Sequence, residues 1–329
     1  MNLSAALAGV LAGPAGLVAS SYIIEAMRSV PKRPERLSWA PELPIHYADI
    51  GGVKVRYIKT GTGPNLVLLH TLRTHLDIFR GVIPQLARHF TVYAYDYPGH
   101  GWSDIPQADY APEDFYKWTA AFLDALDIRQ ATVVGVSIGA TIALVLAARD
   151  NAHVAKVIAV NPYDYGPAVG GVRKSSLTAR LVLSFAEVPI LGATFMRLRN
   201  RLVSDRILQG GLTSSTSLPD AFANEFYEIG NRTGHYRSFL NLLAHERLWP
   251  LARKEYPNIQ VPVLLIYGDE DWAPQTAREE TRSLIPNVAV ETVGRGNHFL
   301  PLDHADALER LIVGFTSDRA GGSPADIGG

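Results

Sequence analysis

A short run of β-branched residues leads directly into a Gly-x-Ser-x-Gly pentapeptide at residues 135–139, and an apolar, alanine-rich stretch follows it. A strand that turns at once into a helix holds its central residue, Ser137, in a tight turn at the carboxyl end of a sheet. Gly135 and Gly139 lack the Cβ atoms that would keep the strand and the helix apart, and N–H groups at the start of the helix can stabilise negative charge. The pattern predicts a nucleophilic serine, although a strand–helix junction without chemistry can have the same residues.

Composition narrows the classes of protein that this chain can belong to. The 329 residues are 47% hydrophobic and 19% charged, which suits one large α/β domain or a core with an insertion. A net charge of −1 gives no overall field that would favour nucleic acid. The absence of cysteine excludes disulfides, thiolate nucleophiles and cysteine-based metal sites, and the histidines lack the spacing of metal ligands. We therefore expect neither a metal nor a cofactor.

The amino-terminal stretch has a different character from the rest of the chain. Residues 1–24 carry no charged side chain and are numerous enough to cross a bilayer, but Gly13-Pro14 interrupts them. Several basic residues follow between Arg28 and Arg36, so a spanning segment would leave the remaining chain in the cytoplasm. An apolar helix packed on the folded core is the alternative. We expect a cytoplasmic protein in which residues 1–27 are a candidate contact with a membrane surface.

The order of strand and helix patterns divides the chain into parts. Strands that alternate with helices predict an α/β fold with a mostly parallel, doubly wound sheet. We assign residues 45–163 and 257–316 to this core, and residues 164–256, where no clear strand pattern occurs, to a helical cap insertion. Residues 1–44 are interpreted as the apolar segment and a Pro-rich linker. The tail at 317–329 is rich in Gly, Ser, Asp and Ala and is predicted to be disordered.

Four motifs along the core, taken together, resemble the α/β-hydrolase family, in its cap-bearing serine hydrolase branch. The Gly-x-Ser-x-Gly motif is preceded by Leu69-His70-Thr71-Leu72 at the end of a predicted strand and by an Asp-x-x-Gly-x-Gly-x-Ser loop at 96–103. The resemblance covers about residues 45–315. It implies that the backbone N–H groups of Leu72 and Ile138 form an oxyanion hole and that His70 has a structural role beside the site. Thr71 stands where the family usually has glycine, which implies an altered substrate range.

The remaining motifs supply candidates for a catalytic acid and base. Residues 268–274 match the family's Gly-x-x-Asp-x-x-Pro pattern, in which Asp271 would orient the catalytic histidine. His298, in a glycine-containing loop after the last predicted strand, is where the family has its base. The resemblance therefore implies a triad of Ser137, Asp271 and His298 in the family's chain order. Asp164 is the alternative acid, because some relatives place the acid after the preceding core strand.

The activity that this resemblance implies is hydrolysis of a carboxylic ester of a fairly apolar small molecule or lipid, through an acyl-enzyme. A serine nucleophile argues against the family's epoxide hydrolases and haloalkane dehalogenases, which attack through a carboxylate. Cleavage of a carbon–carbon bond in a diketone-type substrate, or of a lactone or amide, uses the same triad and stays open. A binding protein that kept the fold without turnover is the alternative of another class. No motif specifies an oligomeric state.

Overall fold

The computed structural model describes residues 13–149 and 152–317. The apolar residues 1–12 and the tail at 318–329, which the sequence predicts to be disordered, lie outside the described residues.

Within the described residues, one sheet of eight strands forms the centre of the molecule. In chain order the strands are β1 His46–Asp49, β2 Lys54–Thr60, β3 Asn65–Leu69, β4 Thr91–Tyr95, β5 Ala131–Val136, β6 Val154–Val160, β7 Val263–Gly268 and β8 Val288–Val293. Their order across the sheet is β1-β2-β4-β3-β5-β6-β7-β8. The β1–β2 and β2–β4 pairs are antiparallel and all the others are parallel, so the predicted mostly parallel sheet is confirmed.

Helices connect and cover these strands. They are α1 Pro14–Met27, α2 Ile83–Leu86, α3 Pro112–Ala125, α4 Ile138–Arg149, α5 Leu177–Ala186, α6 Leu191–Arg197, α7 Arg201–Gln209, α8 Asp220–Gly230, α9 His235–Ala244, α10 Gln275–Leu284, α11 Leu300–Asp303 and α12 Ala305–Ser317. Short 3-10 turns occur at Leu76–Phe79, Val172–Lys174, Glu246–Lys254 and Tyr256–Asn258.

Alternate residues of the central strands face two apolar layers. On β3, Val67 and Leu69 belong to a core that includes α3 and α4, whereas Leu66 and Leu68 belong to a second core that includes α12. A strand buried on both faces needs apolar residues at most of its positions, which is why β3 and β5 consist mainly of consecutive apolar residues. The carboxyl ends of β3, β5 and β7 therefore lie together at one edge of a rigid sheet.

Between β6 and β7 the described elements are all helical, and we refer to α5 to α9 with the flanking 3-10 turns as the cap. Helix α1 packs on the cap helix α6, where Arg197 donates a 2.9 Å hydrogen bond from Nε to Ser21 Oγ. Nearby, Arg199 Nη1 lies 2.8 Å from Glu25 Oε2. No helix among the described residues combines the length and apolar character needed to cross a bilayer.

The proline-rich segment, which the sequence predicts to be a linker, makes contacts with the core. Leu37 and Ala40 are buried in the second apolar core, and Trp39 donates a 2.6 Å hydrogen bond from Nε1 to Asp77 Oδ1. Proline spacing resembled that of an extended linker, but single buried side chains between the prolines attach the segment to the core.

Candidate active site

Ser137 occupies the turn between β5 and α4, with the positive φ of 58° that this sharp turn demands. Two close backbone approaches make the turn possible. A Cβ atom on Gly135 would lie 2.1 Å from the carbonyl oxygen of Gly139, and one on Gly139 would lie 2.3 Å from that of Leu69. Since real Cβ atoms do not come so close to backbone oxygens, both positions require glycine. The same contact places the start of α4 against the end of β3.

Asp271 and His298 meet on the loops that follow β7 and β8. Nδ1 of His298 lies 2.5 Å from Oδ1 of Asp271, and both side chains are buried. The second carboxylate oxygen, Oδ2, accepts a 2.9 Å hydrogen bond from the backbone N–H of Ala273. The His298 ring stacks on Trp272, with ring centroids 3.9 Å apart. The carboxylate is therefore held in place while it orients the imidazole, whose Nε2 is the atom left to accept a proton.

Asn161, at the end of β6, ties these two loops together and was missed by the sequence interpretation. Its Oδ1 accepts a 2.9 Å hydrogen bond from the N–H of Gly268, and its Nδ2 donates to the carbonyl oxygens of Asn297 and His298, each at 3.1 Å. The residue has a φ of 46°, a conformation that asparagine adopts more readily than most residues. In the sequence it is a single asparagine between an apolar strand and two nearby tyrosines, and no motif at this position identifies it.

The loop after β3 is shaped by hydrogen bonds to His70 and Thr71. The N–H of Tyr97 donates to Nε2 of His70 at 3.1 Å, so the proton on His70 lies on Nδ1, which is 2.8 Å from the carbonyl oxygen of Thr71. Burial, with a further contribution from His100, holds the pKa of His70 well below its usual value, so its ring is neutral. Thr74 donates to the same carbonyl through its N–H and its hydroxyl. His70 thus fixes the loop that carries Leu72.

Ser137, His298, Leu72 and Ile138 line one pocket at the carboxyl edge of the sheet. Ile138 is the first residue of α4, where backbone N–H groups have no partner within the helix. These positions suit a serine nucleophile, a histidine base and two backbone donors for an oxyanion.

The cap adds an acidic side chain to this pocket that the sequence did not predict. Glu246 lines it, is buried, accepts a 2.6 Å hydrogen bond from the Tyr163 hydroxyl and lies 3.0 Å from Nη2 of Arg173. Burial and the adjacent Glu246 raise the pKa of Tyr163, so its hydroxyl remains protonated and donates. The glutamate charge is therefore balanced within the cap.

The alternative acid, Asp164, is engaged away from His298. Its carboxylate accepts hydrogen bonds from Arg253 at 3.1 Å, from the Tyr256 hydroxyl at 3.1 Å and from the Thr281 hydroxyl at 2.8 Å. Burial raises its pKa even though Arg253 and the hydroxyl donors oppose that effect. The structure thus brings Asp271, and not Asp164, to His298.

In the part of the chain that the structure describes, one group of side chains has the spacing of a metal site. Ligand atoms of His75, Asp77 and Glu225 lie within 4.8 Å of one another. The guanidinium of Arg56 already lies among them, bonded to Asp77 and 3.3 Å from Glu225 Oε1. Because an arginine cation neutralises these carboxylates, we interpret the group as an ionic junction between the core and cap helix α8.

Comparison with known proteins places this geometry in a family. Residues 64–305, which are most of the chain, match the family whose description is "alpha/beta hydrolase fold". The chain belongs to the α/β-hydrolase family. Its serine turn, acid loop and histidine loop lie in the order in which the α/β-hydrolase motifs occur.

Relatives of this α/β-hydrolase show how wide its family is. An uncharacterised protein of Mycobacterium tuberculosis is 32% identical over 285 residues, which are 82% of this chain and 81% of the relative. A haloalkane dehalogenase of Mesorhizobium japonicum is 28% identical, over 78% of this chain and 86% of the relative. Among solved structures, a membrane phospholipase A superposes with a TM-score of 0.70 at 23% identity, covering 95% of each chain. The protein is therefore a hydrolase by family, and its relatives do not share one substrate.

Proposed function

We propose that this chain is a serine hydrolase that cleaves a carboxylic ester of a fairly apolar small molecule or lipid. His298 accepts the proton of Ser137 as the serine oxygen attacks the acyl carbon, and Asp271 stabilises the imidazolium that forms. The N–H groups of Leu72 and Ile138 bind the oxyanion, each lowering the barrier by about 3 kcal/mol. His298 then returns the proton to the departing alcohol, and water releases the acid from the serine.

The observation that carries the proposal is the 2.5 Å contact between His298 and Asp271 beside a pocket that Ser137 also lines. A serine hydroxyl is a weak nucleophile without such a base. The serine at position 137 also argues against the halide chemistry of the dehalogenase relative, since the family's dehalogenases attack through a carboxylate. The mostly apolar lining of the pocket suits an apolar substrate.

Labelling with a fluorophosphonate probe, followed by peptide mapping, tests the proposal. We expect labelling at Ser137, none in Ser137→Ala and at least a hundredfold slower labelling in His298→Ala. His245→Ala, at the end of cap helix α9, is the matched control and should label at the wild-type rate. No labelling of the folded wild-type chain would contradict the proposal and favour a binding protein without turnover. Labelling together with cleavage of a diketone, lactone or amide, but of no ester, would favour the other reactions of the same triad.

We further propose that α1 rests on a membrane surface. Leu17, Ile23, Ile24 and Met27 of this helix are exposed, as are the basic side chains of Lys32, Arg33 and Arg36 that follow it. Apolar side chains next to basic ones favour the interface of an anionic bilayer.

Co-sedimentation with vesicles that contain an anionic phospholipid tests this contact. The double variant Ile23→Ser, Met27→Ser should reduce the bound fraction several-fold, because it removes apolar area from α1. Val290→Ser, which changes an exposed apolar residue on the edge strand β8, should bind like the wild type. A wild-type chain that stays in the supernatant at low salt would contradict the contact.

A further inference from the structure

A second cavity, about 60 Å³ in volume, lies beside the catalytic pocket. Leu72, Val172 and Phe299 line both spaces, so the second adjoins the first, and we refer to it as the extension. Most of its wall is apolar and comes from the cap, including Leu183, Met196, Leu208, Phe226 and Phe239. The extension is therefore suited to an apolar chain that leads away from the reacting carbonyl.

Arg73 is the charged residue of this wall. It directly follows Leu72 in the oxyanion loop and has a φ of 57°, a left-handed conformation that arginine rarely adopts. Its guanidinium carbon lies 5.2 Å from the ring centroid of Phe226 and 4.8 Å from that of Phe239. The two rings hold the guanidinium at the cavity, where the side chain of Arg73 is partly buried.

No anionic group in the described part of the chain neutralises this arginine. Its Nε atom is buried without a hydrogen-bond partner, and no carboxylate of the described residues lies within 4.0 Å of its guanidinium. Arginines that are buried find other partners: Arg56 and Arg199 meet carboxylates, whereas Arg197 and Arg232 donate hydrogen bonds to hydroxyl or carbonyl oxygens. Burial lowers the pKa of Arg73 to about 10, with a smaller contribution from Arg199, so the side chain is still cationic at neutral pH.

An unpaired charge with a buried Nε is unfavourable, and contacts with two aromatic rings offset only part of that cost. A guanidinium in such a place is completed by a planar anion that accepts two of its N–H donors. Arg73 and three residues of the catalytic pocket line this same cavity. A substrate that fills both spaces would place its anionic end at Arg73.

We propose that Arg73 recognises a carboxylate on the substrate, separated from the scissile ester by an apolar chain. This inference rests on the proposed ester hydrolysis and names the substrate class: half-esters of dicarboxylic acids, and esters of similar shape. Arg73 is then a specificity residue, which binds the end of the substrate that does not react.

The experiment compares two series of p-nitrophenyl esters. One series contains monoesters of dicarboxylic acids from adipate to sebacate, and the other contains neutral alkanoates of the same chain lengths. For the wild type we expect kcat/KM to favour the half-ester at one chain length by about 10-fold or more, since hydrogen bonds between charged groups are stronger than those between neutral groups. Arg73→Met, which keeps length and apolar contact, should lower kcat/KM for that half-ester about 10- to 100-fold, mainly through KM, and change the neutral ester less than about threefold.

Arg180→Met is the matched control, because it removes the same charge from an exposed position on α5 and should leave both series unchanged. An equal loss on both series in Arg73→Met would mean that the arginine only braces Phe226 and Phe239, and it would overturn the proposal. A wild type that prefers no half-ester at any length would overturn it as well. If Arg73→Met does not fold, Arg73→Lys, which keeps the charge but loses the bidentate geometry, should show a smaller loss confined to the half-esters.

The proposed hydrolysis and the recognition of a carboxylate fail separately. If Ser137 does not react with a fluorophosphonate, the hydrolase proposal falls, and calorimetric binding of the p-nitrophenyl monoester of suberate to the Ser137→Ala chain still tests Arg73. Binding that weakens at least 10-fold in Ser137→Ala, Arg73→Met would support the carboxylate site. Binding that is equal in the two chains would overturn it.

Discussion

The floor of the catalytic pocket consists of the loops at the carboxyl ends of β3, β5, β7 and β8, and close backbone contacts shape these loops. Several contacts of the cap with other elements are instead made by long side chains. Gly139 packs against the carbonyl of Leu69, and Gly268 packs against that of Gly296. In the cap, Arg232 reaches the carbonyl of Ser103 at 2.5 Å. A backbone contact admits one residue type, and a long side chain can be replaced by another. We therefore expect the floor to tolerate fewer substitutions than the cap.

The test with the largest expected effect replaces each of two buried aspartates by asparagine. Asp271→Asn should lower kcat roughly 10⁴-fold, which is about 5 kcal/mol in the barrier, because an amide cannot stabilise the imidazolium or hold its tautomer. Asp164→Asn is the control. Its kcat, calculated per enzyme molecule that the fluorophosphonate probe labels, should stay within about threefold of the wild-type value. Steady-state kinetics with a short p-nitrophenyl ester measure both. A loss in Asp164→Asn as large as that in Asp271→Asn would mean that catalysis depends on Asp164 as much as on Asp271.

A variant in the ionic junction around Arg56 tests how much the contact between the core and the cap contributes to stability. Arg56 is buried between Asp77, Asp96 and Glu225, and burial raises the pKa of Glu225. Arg56→Met should lower the free energy of unfolding by about 3–5 kcal/mol, because it leaves buried carboxylates without their cation.

Urea unfolding measures this loss, and Arg88→Met, at a largely exposed ion pair, should change stability by less than about 0.5 kcal/mol. A loss in Arg56→Met no larger than that in Arg88→Met would show that the cap does not depend on the junction.

Two glycine-to-alanine variants compare a position in close contact with the backbone with a position that has open space beside it. Gly139→Ala should destabilise the chain by about 3 kcal/mol and abolish fluorophosphonate labelling, because its Cβ atom has only backbone carbonyls to displace. Gly314→Ala, in α12, places its Cβ atom where nothing lies within 4 Å and should stabilise by up to about 1 kcal/mol. Thermal unfolding compares the two variants. A Gly139→Ala chain as stable and reactive as the wild type would contradict the account of the floor.

The smallest expected effect is at the contact of α1 with the cap. Glu25→Gln keeps an acceptor for Arg199 but removes the charge, and it should lower stability by about 1 kcal/mol without changing turnover of a short ester. Glu35→Gln, at an exposed position, should have no measurable effect on unfolding. Loss of turnover in Glu25→Gln would mean that α1 acts on the floor itself.

The two regions also differ in how far the sequence predicts them. The parallel sheet and the family followed from apolar runs and from loops in which glycine spacing fixes backbone shape, and both are confirmed. Asp271 and His298 were placed by the same loop patterns. Arg73 and Asn161 were not identified, because their roles depend on what surrounds them in three dimensions: two phenylalanines from the cap, and two loops from distant parts of the chain. The burial of Leu37 was missed for the same reason.

Asp164 has a consequence for how the chain could be rebuilt. It stands where the chain leaves the core, and it bonds Arg253 and Tyr256, which stand where the chain returns. Residues 165–252 are thus an excursion whose two ends touch. Segments with adjacent ends at a domain surface are the ones that tolerate insertion and replacement. A short turn in place of this excursion would join the ends without stretching the sheet. A different helical segment grafted there would cover the same serine with different side chains.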